Sequence, residues 1–196
     1  MFILGLTGSI ATGKSTILKM FEGENIAIIS ADDIVHNLYK NEALTPIAKI
    51  FPKTLINNRI DRKILSKILL AMPELIKKLE EIVHPLVRSK IDEFINQQKK
   101  SNAKMIVLEI PLLFESNAKY PINAIAVTYC SDEIQKQRAL EREGMSEEKL
   151  QLIISRQMPQ SEKKAKADFI IDTSKSIDDS HRQVKQIINQ CLNSGK

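Results

Sequence analysis

Gly8-Ser9-Ile10-Ala11-Thr12-Gly13-Lys14-Ser15 is the stretch that decides the fold. Two glycines separated by four residues and followed by Lys and Ser match the phosphate-loop pattern. Glycine lets the backbone turn inward at 8 and 13 with no Cβ in the way. The spacing then predicts that backbone N–H groups of Ala11, Thr12, Gly13, Lys14, Ser15 and Thr16 surround phosphate oxygens at the positive end of a helix. Lys14 would supply a mobile charge to the β- and γ-phosphates, and the Ser15 hydroxyl a ligand for Mg²⁺.

The context agrees with the motif. Before it, Phe2 to Leu6 is an apolar run that reads as a buried strand. After it, Gly13 to Phe21 carries Ile17, Leu18 and Phe21 on one helical face. Further strands are predicted at Ile26 to Ile29, Met105 to Ile110, Ala124 to Tyr129 and Phe169 to Ile171, alternating with helical segments. This pattern predicts an α/β fold of the P-loop NTPase type, a parallel sheet flanked by helices. Residues 46–100 carry helical periodicity only and are too long for one crossover. They are expected to form an inserted helical subdomain, with Asp61 capping one helix, Pro73 opening another and His84-Pro85 breaking it. Asp132 is expected to cap a polar helix and Ser146 the next, while Ile177 to Leu192 closes the chain.

Ligands of open α/β sheets sit beyond the carboxyl ends of the strands, and three carboxylates are expected there: Asp32, Asp33 and Glu109. Asp32 and Asp33 equally suit helix capping before Ile34. Glu109 ends an apolar strand, where an acid is expensive to bury without a partner. Ser15 and Glu109 are the candidate Mg²⁺ ligands, with Asp33 the other carboxylate in reach of that role. Arg138 and Arg142, four apart, are expected to share a helical face and could close over a triphosphate, although the residues alone favour pairing with Glu141 or Glu143 on a solvated helix.

The bulk properties narrow the classes. Net charge is +5, modest enough for a lysine-rich surface yet suited to anionic ligands. Cys130 and Cys191 stand far apart with no metal-ligand spacing, which argues for reduced thiols in the cytoplasm. No apolar stretch reaches membrane-spanning length. The base-reading Asn/Thr-Lys-x-Asp signature of GTPase switches is missing. With no Trp and only three Tyr, there are few platforms for single-stranded nucleic acid.

Along nearly its whole length the sequence resembles the bacterial dephospho-coenzyme A kinases. The resemblance rests on Gly5-Leu6-Thr7-Gly8, Ala31-Asp32, Ile60-Asp61-Arg62, His84-Pro85, Pro111-Leu112-Leu113-Phe114-Glu115, and Gln135 with Arg138 and Arg142. It implies ATP-dependent phosphorylation of the ribose 3′-hydroxyl of dephospho-coenzyme A. Asp32 would be the catalytic carboxylate, assisted by Lys14 and Arg138, with Arg142 on the nucleotide and Arg62 and His84 near the acceptor. The insert 46–100 would bind the acceptor, residues 132–159 would form a lid, and 1–45, 101–131 and 160–196 the core. The implied partners are ATP, Mg²⁺ and the small-molecule acceptor, with no nucleic acid and no membrane, in a monomer or weak homo-oligomer. Departures are Ser30 for the family's Asp, Ser9 and Ala11 for loop glycines, Pro52 for Gly, and Asp172-Thr173 for Asp-Asn.

Overall fold

A computed structural model describes residues 1–116 and 118–193. The chain divides into two compact units, residues 1–28 with 98–196, and residues 29–97. The sequence reading puts the limits of the insert at 46 and 100.

The first unit is organised by a parallel sheet. β1 (Phe2–Gly8), β5 (Met105–Glu109), β6 (Ala124–Tyr129) and β7 (Phe169–Asp172) belong to it, with β2 (Ala27–Ser30) at one edge in the order β2-β5-β1-β6-β7. β1 is central, and from Ile3 onward every residue of it is buried, as expected for a strand covered on both faces. It pairs in parallel with β5 (Leu6 opposite Glu109) and with β6 (Gly8 opposite Thr128). A central strand brings its carboxyl end, and the loop that follows, between the ends of its two neighbours.

α1 (Lys14–Gly23) and α9 (Ile177–Asn193) pack on the sheet because their apolar residues recur at helical spacing. Ile17 and Phe21 from α1, and Val184 and Ile187 from α9, join Leu4, Leu6, Val107, Ala126 and Ile171 in one core. Cys191 lies in that core, where burial pushes its thiol up to about 11. Cys130 is also buried and free, and burial raises its thiol too.

α6 (Asp132–Leu140) and α7 (Glu147–Ser155) follow β6. Ser131, rather than Asp132, caps α6, accepting from the Ile134 amide; its side chain reaches the third amide on, while Asp132 already lies in the first turn. Ser146 caps α7 as its position predicts. α8 (Gln160–Ala165) packs on β6 in a stretch where the sequence suggests no element. Its six residues are too polar and too few to show a periodicity.

The second unit contains α2 (Ala31–Leu38), α3 (Leu44–Ile50), α4 (Arg62–Ala71) and most of α5 (Leu75–Lys100). It is not wholly helical. β3 (Leu55–Ile56) and β4 (Arg59–Ile60) form an antiparallel ribbon through Asn57-Asn58, both at positive φ (49° and 58°) as a tight hairpin requires. Asp61 caps α4, its carboxylate accepting from the Lys63 and Ile64 amides at 2.8 and 3.0 Å.

The expected break at His84-Pro85 does not occur: α5 runs straight through it. Proline removes one helical hydrogen bond and costs about 3 kcal/mol. Val83, Val87, Ile91 and Ile95, every fourth residue, are all buried on one face of α5. Each contributes about 1.5–3 kcal/mol on burial, so four together outweigh the proline.

Candidate active site

β1 feeds the loop at residues 8–13 directly into α1. α4, α6 and α7 begin with a side-chain cap, but α1 begins at Gly13, which has none to offer. Gly13 takes φ 86°, which turns the chain into the helix, whose first-turn amides have no earlier helical carbonyl to bond. That is the electrostatic arrangement a phosphate group fills. The Lys14 ammonium reaches back over the loop, 2.7 Å from Gly8 O and 3.0 Å from Ser9 O. Ser15 and Thr16 are exposed at the start of α1.

Ala11 stands at φ 60°, a left-handed conformation that suits the glycine it replaces in the resembled family. An L-residue there costs roughly 1–2 kcal/mol. Its methyl is buried with Ala139 of α6 and Leu150 of α7, with Ile10 and Ile154 packed alongside, which offsets part of that cost.

Four buried threonines support the loop, a feature missed in the sequence. The Thr12 hydroxyl lies 2.7 Å from that of Thr128 and donates to Ser9 O at 2.9 Å. Thr7 Oγ1 donates to Pro111 O, fixing the segment after β5 beside the end of β1. Thr173 Oγ1 lies 3.1 Å from Thr12 O. Hydroxyls at the carboxyl ends of apolar strands were the available signal. Gly8 is required by the same packing, since a Cβ there would lie 2.2 Å from Thr128 Oγ1.

Arg138 is held beside this cluster: Nη1 donates to Thr173 Oγ1 (3.1 Å) and Nη2 to Thr173 O (2.8 Å). Thr173 thus joins Arg138 to the loop, in the position where the resembled family commonly has Asn. Arg142 does not share a helical face with Arg138, because α6 ends at Leu140; it lies exposed in the turn beyond. Glu109 is buried at the end of β5, in register with Leu6 two residues before Gly8.

The second unit holds the other candidates at three stations. Asp32 and Asp33 are exposed in the first turn of α2, whose N-cap is Ser30, so neither is the capping residue. Arg62 opens α4 and is exposed. Burial raises the Tyr39 hydroxyl's pKa, and the nearby Arg62 guanidinium offsets part of that. His84 is exposed on α5, one turn before Arg88, along a groove that also includes Ser89 and Asp92. Arg88 is a candidate the sequence reading passed over, although its four-residue spacing from His84 was legible.

Residues 2–179 match the family model described as dephospho-CoA kinase. The chain belongs to that family. The dephospho-CoA kinase of Rhizobium meliloti strain 1021 is 44% identical over 189 residues, spanning 96% of this chain and 97% of the relative. The solved dephospho-CoA kinase from Campylobacter jejuni is 33% identical, with a TM-score of 0.74, 99% of this chain covered and 98% of that one. A crystal structure from Thermus thermophilus superposes with a TM-score of 0.84 at 28% identity, covering 96% and 97%. A shikimate kinase from Bacteroides thetaiotaomicron, 15% identical with a TM-score of 0.51, shares the fold. Dephospho-CoA kinases use a nucleotide as phosphoryl donor. Among the described residues no helix is long and apolar enough to cross a membrane.

Proposed function

We propose that this chain transfers the γ-phosphoryl group of ATP to the ribose 3′-hydroxyl of dephospho-CoA, giving coenzyme A and ADP. The observation that carries the reading is the uncapped, glycine-turned start of α1 in a chain of this family. The loop amides and Lys14 would bind the donor phosphates, and Asp32 would accept the proton that the acceptor hydroxyl gives up as its oxygen bonds phosphorus. Arg138, tethered by Thr173 beside Thr12, would face charge developing on the transferred group, with Arg142 at the phosphates. Arg62 and His84 would contact the acceptor, residues 46–100 being its binding subdomain and 132–159 the lid.

Ser15 and Glu109 are the residues we assign to hold magnesium, which when bound would supply positive charge to offset that of the phosphates. Among the described residues no three His, Cys, Asp or Glu side chains cluster as a metal cage. Magnesium in phosphoryl-transfer sites needs only one or two protein oxygens, the rest coming from water and phosphate, so the donor set fits. All reactants are small and water-soluble. The working form is a cytoplasmic monomer or weak homo-oligomer, without nucleic acid or membrane.

The test is an ADP-release assay with ATP, Mg²⁺ and dephospho-CoA, with the product identified by mass. Coenzyme A formed in step with ADP is the expected result. ADP release without it would overturn the acceptor assignment.

A further inference from the structure

Both main-chain polar groups of one phosphate-loop residue are held by side chains far away in sequence. The Ile10 amide donates to Gln157 Oε1 at 3.0 Å, and Ile10 O accepts from Gln135 Nε2 at 2.8 Å. A backbone N–H only donates and a carbonyl only accepts, so these partners fix which end of each side-chain amide faces the loop. Gln135 lies on α6 and is buried; Gln157 follows α7 and is half-buried. Gln160 of α8 donates to Gln135 Oε1 (3.2 Å) and to Asp132 (3.0 Å), which orients the first glutamine in turn. The Ile10 side chain packs on the Ala11–Ala139–Leu150 cluster. Residue 10 is therefore gripped at its side chain, its N–H and its C=O, all by the α6–α7 region.

We propose that Gln135 and Gln157 are positioning residues for the phosphate loop. By gripping Ile10 they hold the arc of the loop with Ala11 left-handed, and so aim the following amides at the donor phosphates. The strain at Ala11 supplies the physical reason for a clamp. An L-residue at φ 60° relaxes unless its neighbours over-determine it, and Ile10 is the neighbour that is clamped. The proposal rests on the reading of residues 8–15 as the ATP-phosphate loop.

The test compares wild type with Gln157→Met and Gln135→Met, which keep the volume and remove the hydrogen bonds. Steady-state kinetics would be run against each substrate, with thermal melts and amide exchange at Ile10 by NMR. We expect KM for ATP to rise about fivefold or more in each variant, with KM for dephospho-CoA within twofold. Exchange at Ile10 should quicken at least tenfold in Gln157→Met. If KM for ATP stays within twofold while melting falls, the glutamines merely hold the fold and the proposal is wrong. Gln157 is half-exposed, so its variant decides the matter should Gln135→Met fail to fold. A wild-type enzyme that bound no ATP would instead overturn the underlying loop reading, which separates the two failures.

Discussion

Replacing Lys163 by Met removes one partner of a buried ion pair. The Lys163 side chain is fully buried on α8, and its ammonium lies 2.8 Å from Oε1 of Glu115 in the segment after β5. The same Oε1 accepts from the Met158 amide at 2.8 Å, so the pair ties the end of the α6–α7 region to the end of β5. At 2.8 Å the gross attraction is about 6 kcal/mol with an effective dielectric of about 20, and desolvation of both charges consumes much of it. Removing one partner is costlier than the net value of the pair, because the other charge stays behind; about 3–5 kcal/mol is expected. In a chain of this size that lowers the melting temperature by about 10 °C.

The pH dependence gives the sharper result. Burial pushes the Glu115 carboxyl up, but the Lys163 ammonium and the Met158 amide together hold it below the usual carboxylate range. In wild type, the stability from this group is present above the unfolded value, about pH 4.3, and is lost as pH falls through the folded value. Without Lys163 burial dominates and the folded value rises, so the deficit of Lys163→Met should widen from pH 4 to pH 7. Urea unfolding at a series of pH values measures this, and Glu115→Gln/Lys163→Met should recover most of the loss. A single variant within 1 kcal/mol of wild type at pH 7, or a double variant no better than the single, would refute the reasoning.

Gly8→Ala should cost about 3 kcal/mol in urea unfolding and abolish ATP turnover, since the new methyl would meet Thr128 and break its bond to Thr12. Asp32→Asn should lower kcat by about 100-fold or more with ATP affinity nearly intact; normal turnover would return Asp32 to a helix-terminus role. Asp61→Ala should lower stability by about 1 kcal/mol through loss of two capped amides, without a change in KM for ATP.

Much of this protein could be read from residues close together in the chain. The Gly-x₄-Gly-Lys-Ser spacing, the apolar run before it and the helical period after it lie within 21 residues and dictate strand, loop and helix by local sterics and amphipathicity. Caps such as Asp61 and Ser146 are equally local, because a side-chain oxygen satisfies amides two or three residues on. The Asn57-Asn58 hairpin was also written locally, but its two-residue strands are too short to alternate visibly.

The tertiary structure decided everything that depends on partners distant in sequence. Pro85 breaks helices by its own preference, and only the buried face formed by Val83, Val87, Ile91 and Ile95 overrules it. Lys163 reads as a surface lysine until Glu115 is found beside it. Nothing local to Gln135 or Gln157 points to Ile10 as the partner, and nothing local to Thr12 points to Thr128. These pairs are separated by 48 to 147 residues. A polar side chain's role is fixed by the group that satisfies it, and sequence order does not say which group that will be.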